Sequence, residues 1–175
     1  LAALLWDAQD TATALTNLRS ALRRIRTALD TAGASALASQ IDYIIADRTT
    51  LTFNAGAPAW IDVLAFEERL AAVHRHQHTV GEECPHCIEL LSEAAALYRG
   101  AFLADIAIAT QGFEEWRRSE RERLQRLAMS ALYSLGEHAF RTGNFGEADR
   151  IARRQLNIER WNEEAHRQLM RILFA

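Results

Sequence analysis

Apolar residues fall into a helical rhythm over most of the chain. In residues 11–29, Leu15, Leu18, Leu22, Ile25 and Leu29 recur at intervals of three and four, the spacing of one helix face. Asp10 or Thr11 can cap the start of this helix, and Gly33 can end it. Turning each residue by about 100° puts Thr13, Thr16, Ser20, Arg23, Arg24 and Thr27 opposite the stripe, with Asn17, Arg19 and Arg26 at its borders. The rhythm then changes. Residues 41–46 and 50–54 are rich in β-branched and aromatic types, with Tyr43 and Ile45 on one side and Leu51 and Phe53 alternating likewise. Around the polar turn Asp47-Arg48-Thr49 they read as a β-hairpin. Ala55-Gly56-Ala57-Pro58 reads as a linker. Beyond it the helical period returns over 62–78, 86–98, 112–142, 145–158 and 162–174, with Asp62 and Asn162 as expected N-caps. Residues 99–111 interrupt it, and their Phe102, Leu103 and Ile106 are expected to pack inward.

Within the last helices, Leu135, Gly136, Ala139, Gly143, Phe145, Ala148, Ala152 and Leu156 alternate small and large residues. This is the pattern of a tetratricopeptide helix–turn–helix unit, with Gly143 at the turn. One such unit cannot bury its faces alone, so neighbouring helices must complete the stack.

Composition narrows the picture. Of 175 residues, 49% are hydrophobic and 25% charged, with only 8 Gly and 2 Pro. That excludes collagen-like and low-complexity chains and argues against an all-β fold. No apolar run reaches the length of a membrane span, and residues 1–15 show no signal-peptide pattern, so a cytoplasmic protein is expected.

Charge adds one feature. The net charge is −3, and all 20 basic residues are Arg. Residues 1–60 balance five Arg against five Asp, yet 11–29 hold four Arg and no acid. A globally basic nucleic-acid binder is excluded; one short basic element stands in its place. A major-groove helix needs one face buried on its domain and one face of donors. Thr16, Asn17, Arg19, Ser20, Arg23, Arg24, Arg26 and Thr27 supply such a face, and Arg48 at the hairpin tip is placed for a wing contact. The competing reading is an ordinary amphipathic helix with a solvated side.

The second chemical cluster is His74-x-His76-x-His78 followed by Cys84-Pro85-His86-Cys87. Thiolates and imidazoles at this spacing suit zinc. The expected ligands are Cys84, Cys87 and two of His74, His78 and His86, with His74 and His78 favoured because they share a helix face. A reduced thiol pair, or a loop that merely contains His, stays open beside it. Trp6, Trp60, Trp116 and Trp161 are expected to pack between elements. Glu114 to Arg123 reads as a solvated helix face laced by pairs three and four residues apart. No catalytic motif is present, so neither an enzyme nor a required cofactor is expected, a structural zinc aside.

Several segments carry a resemblance. They are Leu5-Trp6, the run Leu18-Arg19-x-x-Leu22-x-Arg24-Ile25-Arg26-x-x-Leu29, Asp62-Val63-x-x-Phe66 and Ala96-Leu97-Tyr98-Arg99-Gly100-Ala101-Phe102-Leu103. Trp116-x-x-x-Glu120-Arg121-x-x-Leu124 and Glu164-Ala165-His166-Arg167-x-Leu169-Met170 complete the set. In this order the chain resembles the bacterial transcriptional activator domain proteins, the group that includes the antibiotic regulatory proteins of actinomycetes. The resemblance implies an OmpR-like winged helix-turn-helix that binds DNA and a helical domain for self-association and regulation. Against that pattern the front of the winged helix and the last helices are absent, so a fragment is expected.

The expectation is therefore a mainly α protein. Residues 1–57 form the C-terminal half of a winged helix-turn-helix, and residues 58–175 a tetratricopeptide-like helical domain. Its expected role is transcription activation, with double-stranded DNA, protein partners and a second copy in a homodimer as partners and no membrane. The alternative is an interaction scaffold that does not itself bind DNA.

Overall fold

A computed structural model of the chain describes residues 1–32, 42–47, 49–54, 56–76 and 84–175. It is mainly helical, as the rhythm predicts. In order, the elements are α1 (Ala2–Leu5), α2 (Thr11–Ala32), β1 (Ile44–Ala46), β2 (Leu51–Phe53), α3 (Asp62–Arg75), α4 (Pro85–Leu97), α5 (Gln111–Arg141), α6 (Phe145–Ile158) and α7 (Glu163–Leu173). The chain divides into one compact unit of residues 1–60 with 107–116, and a second of residues 61–106 with 117–175.

In the first unit α2 starts where a cap is available. The Asp10 carboxylate accepts from the amides of Ala12 and Thr13 at 3.0 Å and from the Thr13 hydroxyl at 2.6 Å, satisfying donors that the first turn leaves open. The expected end at Gly33 lies outside the described residues. Strands β1 and β2 pair antiparallel with Ile44 opposite Phe53 and Ala46 opposite Leu51. Their turn is closed by Asp47, whose carboxylate accepts from both the amides and the hydroxyls of Thr49 and Thr50. The segment 107–116 joins this unit through side chains that periodicity cannot show. The Thr110 hydroxyl donates to the Leu4 carbonyl at 2.6 Å, and the Gln111 amide to Asp7 at 3.2 Å.

The apolar stripe of α2 is covered only in part. Ala14 is buried and Leu18, Leu22 and Leu29 are half-buried, while Leu15 and Ile25 are 38% and 45% exposed.

The second unit has two cores in series along α5. Phe66 and Leu70 of α3 and Ala94 of α4 pack with Leu124, Ala128 and Ala131. One stage further, Ala95 of α4 packs with Leu132, Leu135 and Ala139 and with Ala148 and Ile151 of α6. Alanines at the crossing points let the helix axes approach, while Leu and Ile fill the gaps between them.

The expected repeat is present in this unit. Gly143 has φ +75°; its amide bonds to Phe140 O at 3.1 Å, and that of Asn144 to Ala139 O at 2.8 Å. This is a Schellman C-cap, which needs a residue comfortable in the left-handed region. Asn144 also caps α6, its side chain accepting from the Glu147 amide. Asn162 caps α7 as expected, accepting from Ala165. Asp62 does not cap α3: Ile61 holds the N-cap position, and Asp62 is the first helical residue, accepting from the Val63 amide at 2.9 Å.

Arginines hold the connector after α4. Arg121 donates to Phe102 O at 2.6 Å and Leu103 O at 2.9 Å, and Arg154 donates to Ala95 O and Tyr98 O. Phe102 packs on the first core, whereas Ile106 is exposed, against expectation. Trp60 and Trp161 also depart from the expected packing, at 66% and 80% exposed. Trp161 instead lies against the Arg160 guanidinium.

Candidate nucleic-acid interface

The donor face of α2 stands in solvent. Thr16, Arg19, Ser20, Arg23, Arg24, Arg26 and Thr27 are exposed, and Asn17 is half-buried. Among the described residues, none of Arg19, Arg23 and Arg24 pairs with a carboxylate. Many arginines of the second unit are treated otherwise. Arg69 pairs with Glu93, Arg123 with Glu67 and Glu120, Arg153 with Asp149, Arg167 with Glu163 and Arg171 with Glu137. Among the described residues, α2 therefore carries three arginines that no ion pair neutralises.

The polar members of that face are less available than the sequence implies. The Thr16 hydroxyl donates to Ala12 O at 2.9 Å and that of Thr27 to Arg23 O at 3.0 Å, the usual i−4 back-bonds of helical Thr. Asn17 donates to the Gln9 side chain at 2.6 Å. Arg26 donates to Ile44 O at 2.9 Å and so ties α2 to the hairpin. Arg19, Arg23 and Arg26 line one wall of a groove bounded by α1 and the hairpin turn, with Arg24 and Ser20 outside that wall. Asp47, at the groove edge, is held ionised well below the usual carboxylate range by the Thr50 hydroxyl and then the Thr49 and Thr50 amides. Arg48 lies outside the described residues.

The His/Cys cluster assembles differently from the sequence expectation. Cys84 and Cys87 come together at the start of α4, joined by His76. His74 is exposed in the last turn of α3 and does not join them, because the chain turns toward the sulfurs only where it leaves the helix, at His76. His78 lies outside the described residues. No disulfide joins the cysteines. Burial, and Cys84 beside it, push the Cys87 thiol above its usual pKa.

A model of one protein family, the bacterial transcriptional activator domain, matches residues 61–175. The chain belongs to this family. The match begins at the first residue of the second unit, and so covers the helices that hold these arginine–carboxylate pairs. No curated protein and no solved structure matches the chain. Membership in the bacterial transcriptional activator domain family makes this a chain of transcriptional-activator type. Among the described residues no helix is long and apolar enough to cross a membrane.

Proposed function

We propose that this protein is a cytoplasmic transcriptional regulator that contacts duplex DNA through α2 and the hairpin and engages protein partners, including a second copy of itself, through the helical domain. It acts by binding, without catalysis. The observation that carries the reading is the exposed trio Arg19, Arg23 and Arg24, which no carboxylate among the described residues neutralises. A helix of this kind followed by a β-hairpin is the order of a recognition helix and wing. Phosphate contacts from such arginines release counter-ions, so affinity must fall as salt rises.

Titration of mixed-sequence duplex DNA at several salt concentrations tests this. The expected plot of log affinity against log salt falls linearly, and Arg23→Ala and Arg24→Ala each flatten the slope by about one for every phosphate left without its arginine. Arg153→Ala, which removes an arginine paired with Asp149, leaves the slope unchanged. If the wild-type chain shows no salt-dependent duplex binding, a scaffold remains. That second reading draws on the exposed apolar residues Met170, Leu173 and Phe174 in and after α7, since stacked helix pairs bind peptides and helices by such surfaces.

A further inference from the structure

Two helix ends meet at the start of the second unit. His76 is where the chain leaves α3, with φ −78° and ψ 108° and its amide still bonded to Ala72 and Val73 carbonyls. Cys84 is the N-cap of α4, Pro85 opens that helix, and Cys87 lies buried in its first turn. Pro85 suits this position because the first helical amide has no partner in the helix. The result is a compact trio. His76 Nδ1 stands 3.3 Å from Cys87 Sγ and 3.6 Å from Cys84 Sγ, and all three donor atoms lie within 4.8 Å of one another.

These separations match a known coordination geometry. With Zn–S of about 2.3 Å and Zn–N of about 2.0–2.1 Å, neighbouring nitrogen and sulfur donors of a tetrahedral centre stand about 3.6 Å apart. The donor chemistry, two thiols and an imidazole, selects a borderline-soft ion such as zinc over magnesium or calcium.

We propose that His76, Cys84 and Cys87 bind a zinc ion that clamps the end of α3 to the start of α4, with a fourth ligand from outside this trio. Binding converts the two thiols to thiolates and releases their protons to solvent. The ion then fixes the angle at which α3 and α4 enter the core built on Phe66, Leu70 and Ala94. The site uses none of the α2 donor residues, and its test does not depend on DNA.

The chain, stripped with a chelator under reducing conditions, is titrated with Co²⁺ and then Zn²⁺. The expected result is a thiolate-to-cobalt charge-transfer band with tetrahedral visible absorption, saturating at one metal per chain and lost on adding Zn²⁺. Zinc also raises the melting temperature of the wild type. Cys84→Ser and His76→Ala, at residues that are not buried, weaken the metal by more than about tenfold while retaining the helical circular dichroism. His74→Ala leaves binding unchanged. The proposal is overturned if the wild type gives no thiolate band, or if His76→Ala and Cys84→Ser both bind as tightly as the wild type. Reversible Cys84–Cys87 disulfide formation without metal uptake overturns it equally.

Discussion

Gln168 shows how much one buried amide can organise. It is 4% exposed, accepts from Gln155 Nε2 at 2.9 Å and donates to Tyr133 O and Glu137 Oε1. Arg171 donates to the same Glu137 oxygen, so α5, α6 and α7 share one polar cluster. Gly136 makes room for it, since a Cβ there would sit 3.0 Å from Gln168 Oε1. Gln168→Ala strands the Gln155 amide in the interior, and chemical denaturation should show a loss of about 1–3 kcal/mol. Gly143→Ala, which forces a Cβ into the left-handed region, should cost about 1 kcal/mol in the same measurement. A loss under a few tenths in either variant contradicts the corresponding account. Gly143 was legible beforehand, because a turn glycine between two apolar rhythms declares itself. The glutamines were not, since a Gln on a helix reads as solvated until a neighbouring helix covers it.

The hairpin turn depends on an ionised Asp47. Hydrogen bonds from Thr50 and Thr49 hold its folded-state pKa below the unfolded value of about 3.9. The turn's stabilisation is therefore complete above pH of about 4 and is lost as pH falls through the lowered value. The protection factors of the Thr49 and Thr50 amides, exchange rates taken relative to the intrinsic rate at each pH, should be constant from neutrality to mild acid and fall below that. Absence of protection at neutral pH would show that the carboxylate does not hold the turn. Helix positions in the second unit followed the apolar period closely. What periodicity missed was the role of the arginines on α5. Within the charged run Glu114 to Arg123, Arg123 pairs along the helix with Glu120. Arg117 and Arg121 also bond to carbonyls of the connector, at Ile106, Phe102 and Leu103. An arginine looks the same in sequence whether it faces a carboxylate, a carbonyl or water.

The two units differ in how well they cover their apolar surface. The second has continuous cores along α5, whereas α2 in the first leaves Leu15 and Ile25 exposed. Local opening is easier where less apolar packing must be broken. Hydrogen exchange of the isolated chain should therefore be faster for amides of residues 14–29 than for residues 124–139, and equal protection would contradict this. Local periodicity, turn chemistry and charge were enough to define the helical class, the helix-pair turn at Gly143, the hairpin and the acid-free donor face of α2. Three outcomes waited on the folded chain. His76 rather than His74 meets the cysteines, two glutamines are buried, and Arg19, Arg23 and Arg24 stand without described carboxylate partners while many arginines of the helical domain are paired. Such outcomes depend on which residues distant in the chain are brought within a few ångströms, and spacing along a single helix carries no record of them.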